Sequence, residues 1–502
     1  ALILACGLLP IVGYAAEAEP FYDLWIRNGA VVDGTGRERV QADVLVRGDT
    51  IALVGTARAH VQARRTIDAR GRIVTPGFID THGHGDPLSD SFANFLAQGI
   101  TTVVLGQDGS SPGGDEQPIP LAEWMRHVQA HGSEVNIATF SGHGTLRTLA
   151  GVGEAPQPTD AQLRAMQEML RSDLAAGAYG LSFGLEYSPG RYSQVAETKA
   201  LGDVAGRHGG IVMSHMRTED SGRIGAALDE LLQIDAPLHV SHVKIVAAQR
   251  LEEADEVLDR LARARAQGKR VTADVYPYLA SVASFQFLYP DWARRREDYD
   301  AAVRDRRADL EQHLRRRVQE RNGPRAILFT AGPHAGKTLA DLAAQLGKPY
   351  EKVIIDDVGY VGPAQAHFHM SPAVQGACIT ADHVSICTDG SPGSAHPRSY
   401  DSFIKVLEEY VGAPPKMSFE RAVHKMSGLP AAILGVDRGV IVSGRKADIL
   451  VLDPKQLDSR ATFTEPTLAP RGIEFAIVNG AIAFEQGKAV GKNGRMLRRT
   501  SE

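Results

Sequence analysis

The stretch Thr75-Pro-Gly-Phe-Ile-Asp-Thr-His-Gly-His-Gly-Asp86 carries two histidines, His82 and His84, separated by a single glycine. In an extended strand, side chains two positions apart point to the same face, so both imidazoles can reach one metal ion. Two solvent-exposed histidines produce the same short pattern. The rest of the chain therefore has to decide between a metal site and a chance pair.

Three more short apolar runs lead to possible metal ligands. Ile211 to His215 and Leu238 to His242 each end in histidine, and Val384 to Ile386 leads to Asp389. Parallel strands that are buried on both faces have this composition, and in a (β/α)8 barrel the residues at their carboxyl ends form the active site. Four histidines and one aspartate at such positions predict a metal centre at the mouth of a barrel.

Several longer motifs resemble those of one known family. They are Gly77 to His84, Gly142 to Arg147, Gly180 to Gly190, Ser214 to Arg217, Ser241 to Lys244, Asp274 to Tyr278, Thr388 to Gly390 and His396 to Tyr400. The chain resembles the amidohydrolase superfamily and, within it, the N-acyl-D-amino-acid deacylases (D-aminoacylases). This resemblance implies a metal-dependent hydrolase that cleaves the linear amide of N-acyl-D-amino acids or related N-acyl compounds.

The domain organisation follows from the pattern of apolar runs. Residues 21–75 and 436–502 alternate short strands with turn signals such as Asn28-Gly29 and Asn479-Gly480. Asn-Gly between apolar runs is a strong hairpin signal. The two segments predict one discontinuous β-sandwich, as the family has. Residues 76–435 alternate apolar strands with helical stretches, such as 160–174 and 251–266, and predict a (β/α)8 TIM-type barrel between the sandwich halves.

One segment interrupts the barrel pattern. Residues 285–324 carry a dense load of charged residues, including Arg294-Arg-Arg-Glu297. One interpretation is a solvated helical excursion. The other is a lid over the barrel mouth, because long insertions after a barrel strand lie at the active-site face.

The candidate ligands suit two zinc ions. His82 and His84 would hold one ion with Asp389 beside it, and His215 and His242 would hold a second. Neutral imidazole and carboxylate are suitable ligands for Zn²⁺, which lowers the pKa of bound water to about 7 and so supplies a hydroxide nucleophile. Asp389 would act as general base and then as general acid.

The chain departs from the family at the ligand between the two ions. D-aminoacylases carry Gly-Asn-Cys-Gly after the second strand, with a metal-binding cysteine, whereas this chain has Gly106-Gln-Asp-Gly109. Related amidohydrolases bridge two metals with a carboxylated lysine at the end of strand four, where this chain has Glu186. We expect Glu186 to be the bridge, ahead of Asp108, with a single-metal site as the remaining alternative.

Substrate binding is predicted from weaker signals. The resemblance implies that Lys244 and Tyr276 hold the α-carboxylate of the substrate, although Lys244 is also placed to reach solvent. Arg398 and Arg217 are candidates for contacts with the acyl or side-chain end. His143 is expected to be structural rather than a ligand.

Composition excludes some other functions. The 502 residues are 43% hydrophobic with a net charge of −5 and no long basic run, so nucleic acid is not an expected partner. Of the three cysteines, Cys378 and Cys387 would pair only in an exported protein, and Cys387 is expected to be a buried thiol.

The first 18 residues suggest export. Residues 1–16 are mostly apolar but too short for a spanning helix, and Ala16-Glu-Ala18 resembles a cleavage site. We expect a signal-peptide remnant and a periplasmic or secreted protein without stable membrane insertion.

Two alternative functions remain. A cyclic amidase of the dihydroorotase or hydantoinase type would be expected to have a lysine in strand four, and Gly180 to Gly190 contains none. A non-catalytic periplasmic binding protein would be expected to lose Asp389, which is present.

Overall fold

The computed structural model describes residues 21–58, 60–113 and 119–500. The predicted signal remnant, 1–18, lies outside these residues, so export stays a prediction. Across the described ranges, every helix is too short or too polar to span a lipid bilayer. Cys378 and Cys387 are both buried and unpaired, as expected for thiols inside the fold.

The strands and helices follow one another along the whole described chain. The strands are β1 (Phe21–Val31), β2 (Val40–Arg47), β3 (Thr50–Gly55), β4 (Gln62–Asp68), β5 (Ile73–Pro76), β6 (Phe78–Asp80), β7 (Ile100–Leu105), β8 (Asn136–Thr139), β9 (Ser141–Gly142), β10 (Gly180–Gly184), β11 (Ile211–His215), β12 (Leu238–Val240), β13 (Val271–Val275), β14 (Ala280–Ala283), β15 (Ile327–Phe329), β16 (Gln365–Phe368), β17 (Val384–Ile386), β18 (Ile449–Leu452), β19 (Ile473–Val478), β20 (Ala481–Glu485) and β21 (Lys488–Ala489). The α-helices are α1 (Ala93–Ala97), α2 (Leu121–His131), α3 (His143–Leu149), α4 (Asp160–Ala176), α5 (Val195–Arg207), α6 (Ile224–Leu231), α7 (Glu252–Ala266), α8 (Arg296–Asp305), α9 (Arg307–Glu320), α10 (Leu339–Leu346), α11 (Tyr350–Val353), α12 (Pro372–Thr380), α13 (Arg398–Val411), α14 (Phe419–Met426) and α15 (Gly428–Leu434).

The predicted barrel is formed by parallel strands in chain order. β6, β7 and β8 pair in that order, and β9, which follows β8 almost directly, continues through β10, β11, β12 and β13 to β17. A parallel bridge between Gly83 and Gly390 closes the ring, with the Asp389 amide donating to the His82 carbonyl at 2.9 Å. Strands such as β7 and β10 are buried along their full length, which explains their continuous apolar composition.

The two ends of the chain build a second domain. β18 pairs with β5, so that strands of both terminal segments join one nine-stranded sheet in the described chain, in the order β21-β20-β19-β18-β5-β1-β2-β3 with β4 against β1. Its interior is a cluster of its own that includes Ile26, Val44 and Ile449. The predicted discontinuous β domain is therefore formed by both termini.

The two Asn-Gly pairs have different outcomes. Asn479 and Gly480 connect β19 to β20 with both residues at positive φ, 51° and 81°, which is the tight hairpin turn predicted. Asn28 and Gly29 are not a turn but lie inside β1, where the register with β2 shifts at a bulge. A side chain at position 29 would clash, because an added Cβ would lie 2.5 Å from Val74 Cγ2.

The charged segment belongs to a larger unit than 285–324. Between β13 and β17, the strands β14, β15 and β16 form a three-stranded antiparallel sheet, and helices α8 to α11 pack around a separate apolar cluster. The cluster includes Phe285, Leu314 and Ile354. The sequence analysis recognised only the charged start of this unit, in α8 and α9. It ended the segment at 324 because the apolar residues that follow resemble barrel strands. We call β14 to β16, with the helices between them, the insertion.

Candidate metal centre and substrate pocket

Four predicted or alternative ligands converge at the carboxyl ends of β6, β7 and β17. His82 Nε2 lies 3.4 Å from Asp108 Oδ1 and 3.7 Å from Asp389 Oδ1, and His84 Nε2 lies 3.2 Å from Asp389 Oδ1. The ligand atoms of a tetrahedral zinc ion, each about 2.0–2.2 Å from the metal, lie about 3.3–3.5 Å apart. These four side chains therefore have the spacing of ligands to one ion.

A second group shares Asp108 with the first. Asp108, His215 and His242 each place one ligand atom within 4.8 Å of the others. His242 Nε2 lies 3.6 Å from Asp108 Oδ1 and 3.0 Å from His215 Nδ1. Of the carboxylates in the described chain, Asp108 is the one that belongs to both groups. Asp108 therefore has the position expected of a bridging ligand.

Glu186 and Glu219 lie behind the histidines of the second group. Glu186 Oε2 is 3.1 Å from His215 Nε2, the ring nitrogen that faces away from His242. Glu219 Oε1 is 3.1 Å from His242 Nδ1, again the nitrogen opposite to the one facing Asp108. This is the position of the carboxylates that orient metal-ligating histidines and fix their tautomers. Glu186, His215 and Glu219 form a third group of possible metal ligands, but Glu186 shares no group with His82 or His84. The expectation that Glu186 is the bridge stays a prediction, and the spacing favours Asp108.

The backbone holds three of these residues in an uncommon conformation. Asp108, His242 and Asp389 have φ of 54°, 33° and 49°. A positive φ is unusual for residues other than glycine, costs of order 1–3 kcal/mol, and clusters at functional sites. Each residue lies two or three positions after the end of a barrel strand, in the turn at the barrel mouth.

The buried polar atoms fit a bound metal ion. Both ring nitrogens of His82 and Oδ1 of Asp108 are buried without a hydrogen-bond partner. Burial lowers the pKa of His82, so its imidazole is neutral and has a lone pair for a metal. Buried polar groups rarely lack partners, and imidazole nitrogen with carboxylate oxygen is a donor set that suits Zn²⁺.

Three predicted substrate-binding residues lie together beside Asp389. Arg398 donates from a terminal nitrogen to Asp389 Oδ2 at 2.6 Å, and its guanidinium lies 5.1 Å from the ring centre of Tyr276. Lys244 Nζ lies 5.7 Å from the same ring. The Tyr276 hydroxyl and Arg398 Nε are buried without partners. Burial raises the pKa of Tyr276 to about 12, so it is a neutral hydrogen-bond donor at pH 7.

Lys244 does not reach solvent. It is 4% exposed and donates to Glu219 Oε1 at 2.7 Å. Burial acts against the ammonium form, but Glu219 holds the pKa of Lys244 above its ordinary value, so the side chain stays charged.

Glu219 was missed by the sequence analysis. Its signal was an acidic residue four positions after His215, which is too common a pattern to single out.

Two other predicted residues lie outside the ligand groups. His143 Nε2 is 2.7 Å from Glu197 and both are buried, in agreement with a structural role. Arg217 forms an ion pair with Glu230 at 2.8 Å and donates to the Arg191 carbonyl. Because its donors are used inside the fold, Arg217 does not have the substrate contact suggested for it.

A cavity of about 520 Å³ opens over these groups. Its wall includes Asp108, Lys244, Asp389 and Arg398 from the barrel. The insertion contributes Phe287 and Arg321, among other residues. The insertion therefore covers part of the barrel mouth, as the lid interpretation requires.

Comparisons with known proteins identify the family. The Amidohydrolase family matches residues 65–484. An N-acyl-D-glutamate deacylase of Alcaligenes xylosoxydans xylosoxydans is 34% identical, over 95% of this chain and 96% of the relative, and a D-aminoacylase of the same organism is 30% identical, over 97% and 99%. The crystal structure of N-acyl-D-glutamate deacylase from Bordetella bronchiseptica, with zinc and a phosphonate mimic of the tetrahedral intermediate, superimposes with a TM-score of 0.81 at 34% identity, over 95% of this chain and all of that one. The chain belongs to the amidohydrolase family and, within it, to the N-acyl-D-amino-acid deacylases (D-aminoacylases).

Proposed function

We propose that this protein hydrolyses the amide bond of N-acyl-D-amino acids and releases a carboxylate and a free D-amino acid. The two relatives named above, an N-acyl-D-glutamate deacylase and a D-aminoacylase, match nearly the whole chain. The presence of Asp389 among converging histidines argues against a non-catalytic binding protein.

One observation carries the proposal. The two oxygens of Asp389 face different partners, since Oδ1 lies among the histidines of the first metal group and Oδ2 accepts from Arg398. Arg398, Tyr276 and Lys244 together form a pocket of donors for a carboxylate. A carboxylate pocket one side chain away from a metal group suits a substrate whose scissile amide is adjacent to a carboxylate, as in an N-acyl amino acid.

We propose two zinc ions, and Asp108, which belongs to two of the candidate ligand groups, would help to hold both. His82, His84 and Asp389 would hold one ion, and His215 and His242 the other. When bound, zinc supplies Lewis acidity that polarises the amide carbonyl and lowers the pKa of water from 15.7 to about 7. The zinc in the Bordetella bronchiseptica relative supports this choice of metal.

The side chains of the chain itself bind the substrate and move protons. Lys244, Arg398 and the neutral Tyr276 hydroxyl would hold the α-carboxylate, which orients the amide over Asp389. Asp389 Oδ1 would take the proton of the attacking water and pass it to the nitrogen of the departing amine. Burial acts to raise the pKa of Asp389, but the positive charge of Arg398 holds that pKa well below its usual range. Asp389 is therefore ionised before the reaction.

A panel of substrates tests the proposed reaction. We expect hydrolysis of N-acetyl-D-amino acids with a preference over the L-enantiomers, because the two relatives that match nearly the whole chain are a deacylase of N-acyl-D-glutamate and a D-aminoacylase. Release of free amino acid from matched D and L pairs is the measurement, with hydantoins and dihydropyrimidines as cyclic controls. Turnover of the cyclic amides alone would replace this proposal by a cyclic amidase.

Metal removal tests the proposed cofactor. Dialysis against a chelator is expected to abolish hydrolysis, and added Zn²⁺ is expected to restore it, because no protein side chain replaces the Lewis acid. Elemental analysis of the same samples should show loss and return of about two ions per chain, and circular dichroism controls for unfolding. Full activity in metal-free protein would contradict the proposed chemistry.

A further inference from the structure

The wall of the cavity on the side of the insertion carries two buried side chains that the proposed chemistry does not use, one inside the insertion and one directly after it. Arg321 follows α9 and is 6% exposed, and His369 follows β16 and is 3% exposed. Both line the cavity, and Arg321 Nε and His369 Nδ1 have no hydrogen-bond partner. An unpartnered buried donor costs about 1–3 kcal/mol, and at these two side chains a ligand group in the cavity would supply the missing partner.

The carboxylate that pairs with Arg321 is shared with other arginine side chains. Arg321 donates to Asp220 Oδ1 at 3.1 Å, but Arg317 already donates to the other oxygen of Asp220 at 2.6 Å. Arg223 also lies 3.8 Å from Asp220 Oδ2, so one carboxylate serves three guanidinium groups, of which Arg317 also lies 3.7 Å from Glu320. A guanidinium has five N–H donors, so Arg321 retains the capacity to bind another anion through Nε.

His369 offers a neutral donor beside the arginine. The Ser281 hydroxyl lies 3.1 Å from His369 Nε2, and a hydroxyl that donates there leaves the ring hydrogen on Nδ1. Burial, together with the neighbouring Arg321, holds the pKa of His369 well below its ordinary value, so the ring is neutral. A guanidinium N–H and an imidazole N–H side by side match the two oxygens of a carboxylate.

The wall is also close to the carboxylate pocket. The Ala247 amide, three residues after Lys244, donates to the His369 carbonyl at 2.7 Å. Arg321 pairs with Asp220, and the preceding residue, Glu219, accepts from Lys244. A substrate held by Lys244 through its α-carboxylate would have this wall within reach of a short side chain.

We infer that Arg321 and His369 form a specificity subsite for the side-chain carboxylate of acidic substrates, N-acyl-D-glutamate and N-acyl-D-aspartate. The inference rests on the proposed function and adds the substrate class. A carboxylate side chain satisfies both unpartnered donors, whereas a neutral side chain leaves them buried and unpaired. Sites built to hydrogen-bond a substrate group discriminate strongly against analogues that lack it.

Matched acid and amide substrates test the inference in the zinc-loaded protein. Wild-type kcat/KM is expected to be about 10- to 100-fold higher for N-acetyl-D-glutamate than for N-acetyl-D-glutamine, as for a hydrogen bond to a charged group. Arg321→Met should abolish this preference by lowering kcat/KM for the acid, with the value for the amide within about threefold of wild type.

Arg317→Met is the matched control. It removes another ion pair of Asp220, and Arg317 does not line the cavity, so the acid-to-amide ratio should stay at the wild-type value. A second variant, His369→Phe, keeps an aromatic ring and removes both nitrogens. It should lower the ratio even if Arg321→Met does not fold.

Three outcomes would overturn the inference. They are a wild-type enzyme without preference for the acid, an equal loss on both substrates in the folded Arg321 and His369 variants, and a collapse of the ratio in Arg317→Met, which would assign the effect to Asp220. Failure of the proposed function is distinguishable, because N-acetyl-D-methionine and the other neutral D-substrates would then not be hydrolysed either.

Discussion

Replacing Asp389 by asparagine is expected to lower kcat by about 10²–10⁴-fold, the range typical of a lost general acid–base group. Asparagine keeps the shape of the side chain but cannot accept the proton of the attacking water at Oδ1. KM should change much less, because Lys244 and Tyr276 remain to bind the substrate carboxylate. Steady-state kinetics on an N-acetyl-D-amino acid measures the two parameters separately.

Asp389 is also a candidate metal ligand, so the measurement needs a control for metal content. Elemental analysis of the Asp389→Asn protein should show at least the ion of the second group, since His215, His242 and Asp108 are untouched. Asp389→Ala with added formate provides a further check, because a small carboxylate in the vacated space should restore part of the turnover. Near-normal kcat in a fully metal-loaded Asp389→Asn enzyme would assign proton transfer to another group.

Replacing Asp108 by asparagine is expected to reduce zinc affinity by more than about 100-fold, and activity with it. Its carboxylate belongs to both ligand groups, and an anionic ligand shared by two cations would offset their mutual repulsion. Changes to outer-shell partners of metal ligands typically cost about 10–100-fold, and loss of a shared ligand should exceed that range. Zinc titration with a competing chromophoric chelator gives the affinities directly.

Three further variants make this prediction specific to Asp108. Asp108→Cys supplies a thiolate, an anionic zinc ligand, and should retain metal. Glu186→Gln and Glu219→Gln form a matched pair, because both remove a charge behind a histidine, and each should fall within the outer-shell range. If Glu186→Gln loses more zinc than Asp108→Asn, the bridge belongs to strand four, as the sequence analysis expected.

Much of the fold followed from the sequence because its signals are local. Apolar runs of three to six residues predicted the barrel strands, and the helices expected at 160–174 and 251–266 are α4 and α7. The Thr159 capping box and the Asn479-Gly480 turn are set by neighbouring residues, so they can be recognised without tertiary structure. The Asn28-Gly29 bulge was missed because it depends on the pairing of β1 with β2, and the space for Gly29 is limited by Val74, which is distant in sequence.

The histidine pairs, Asp389 and the carboxylate-binding residues were also predictable, since strand periodicity and strand ends determine where such side chains point. Only the tertiary structure decided the remaining parts of the site. Which carboxylate lies between the histidine pairs depends on which ring nitrogen each histidine turns inward, and that is set by the packing of Asp108, Glu186 and Glu219 from three different loops. The insertion wall likewise brings Arg321 and His369 together from positions 48 residues apart, a proximity that no local pattern encodes.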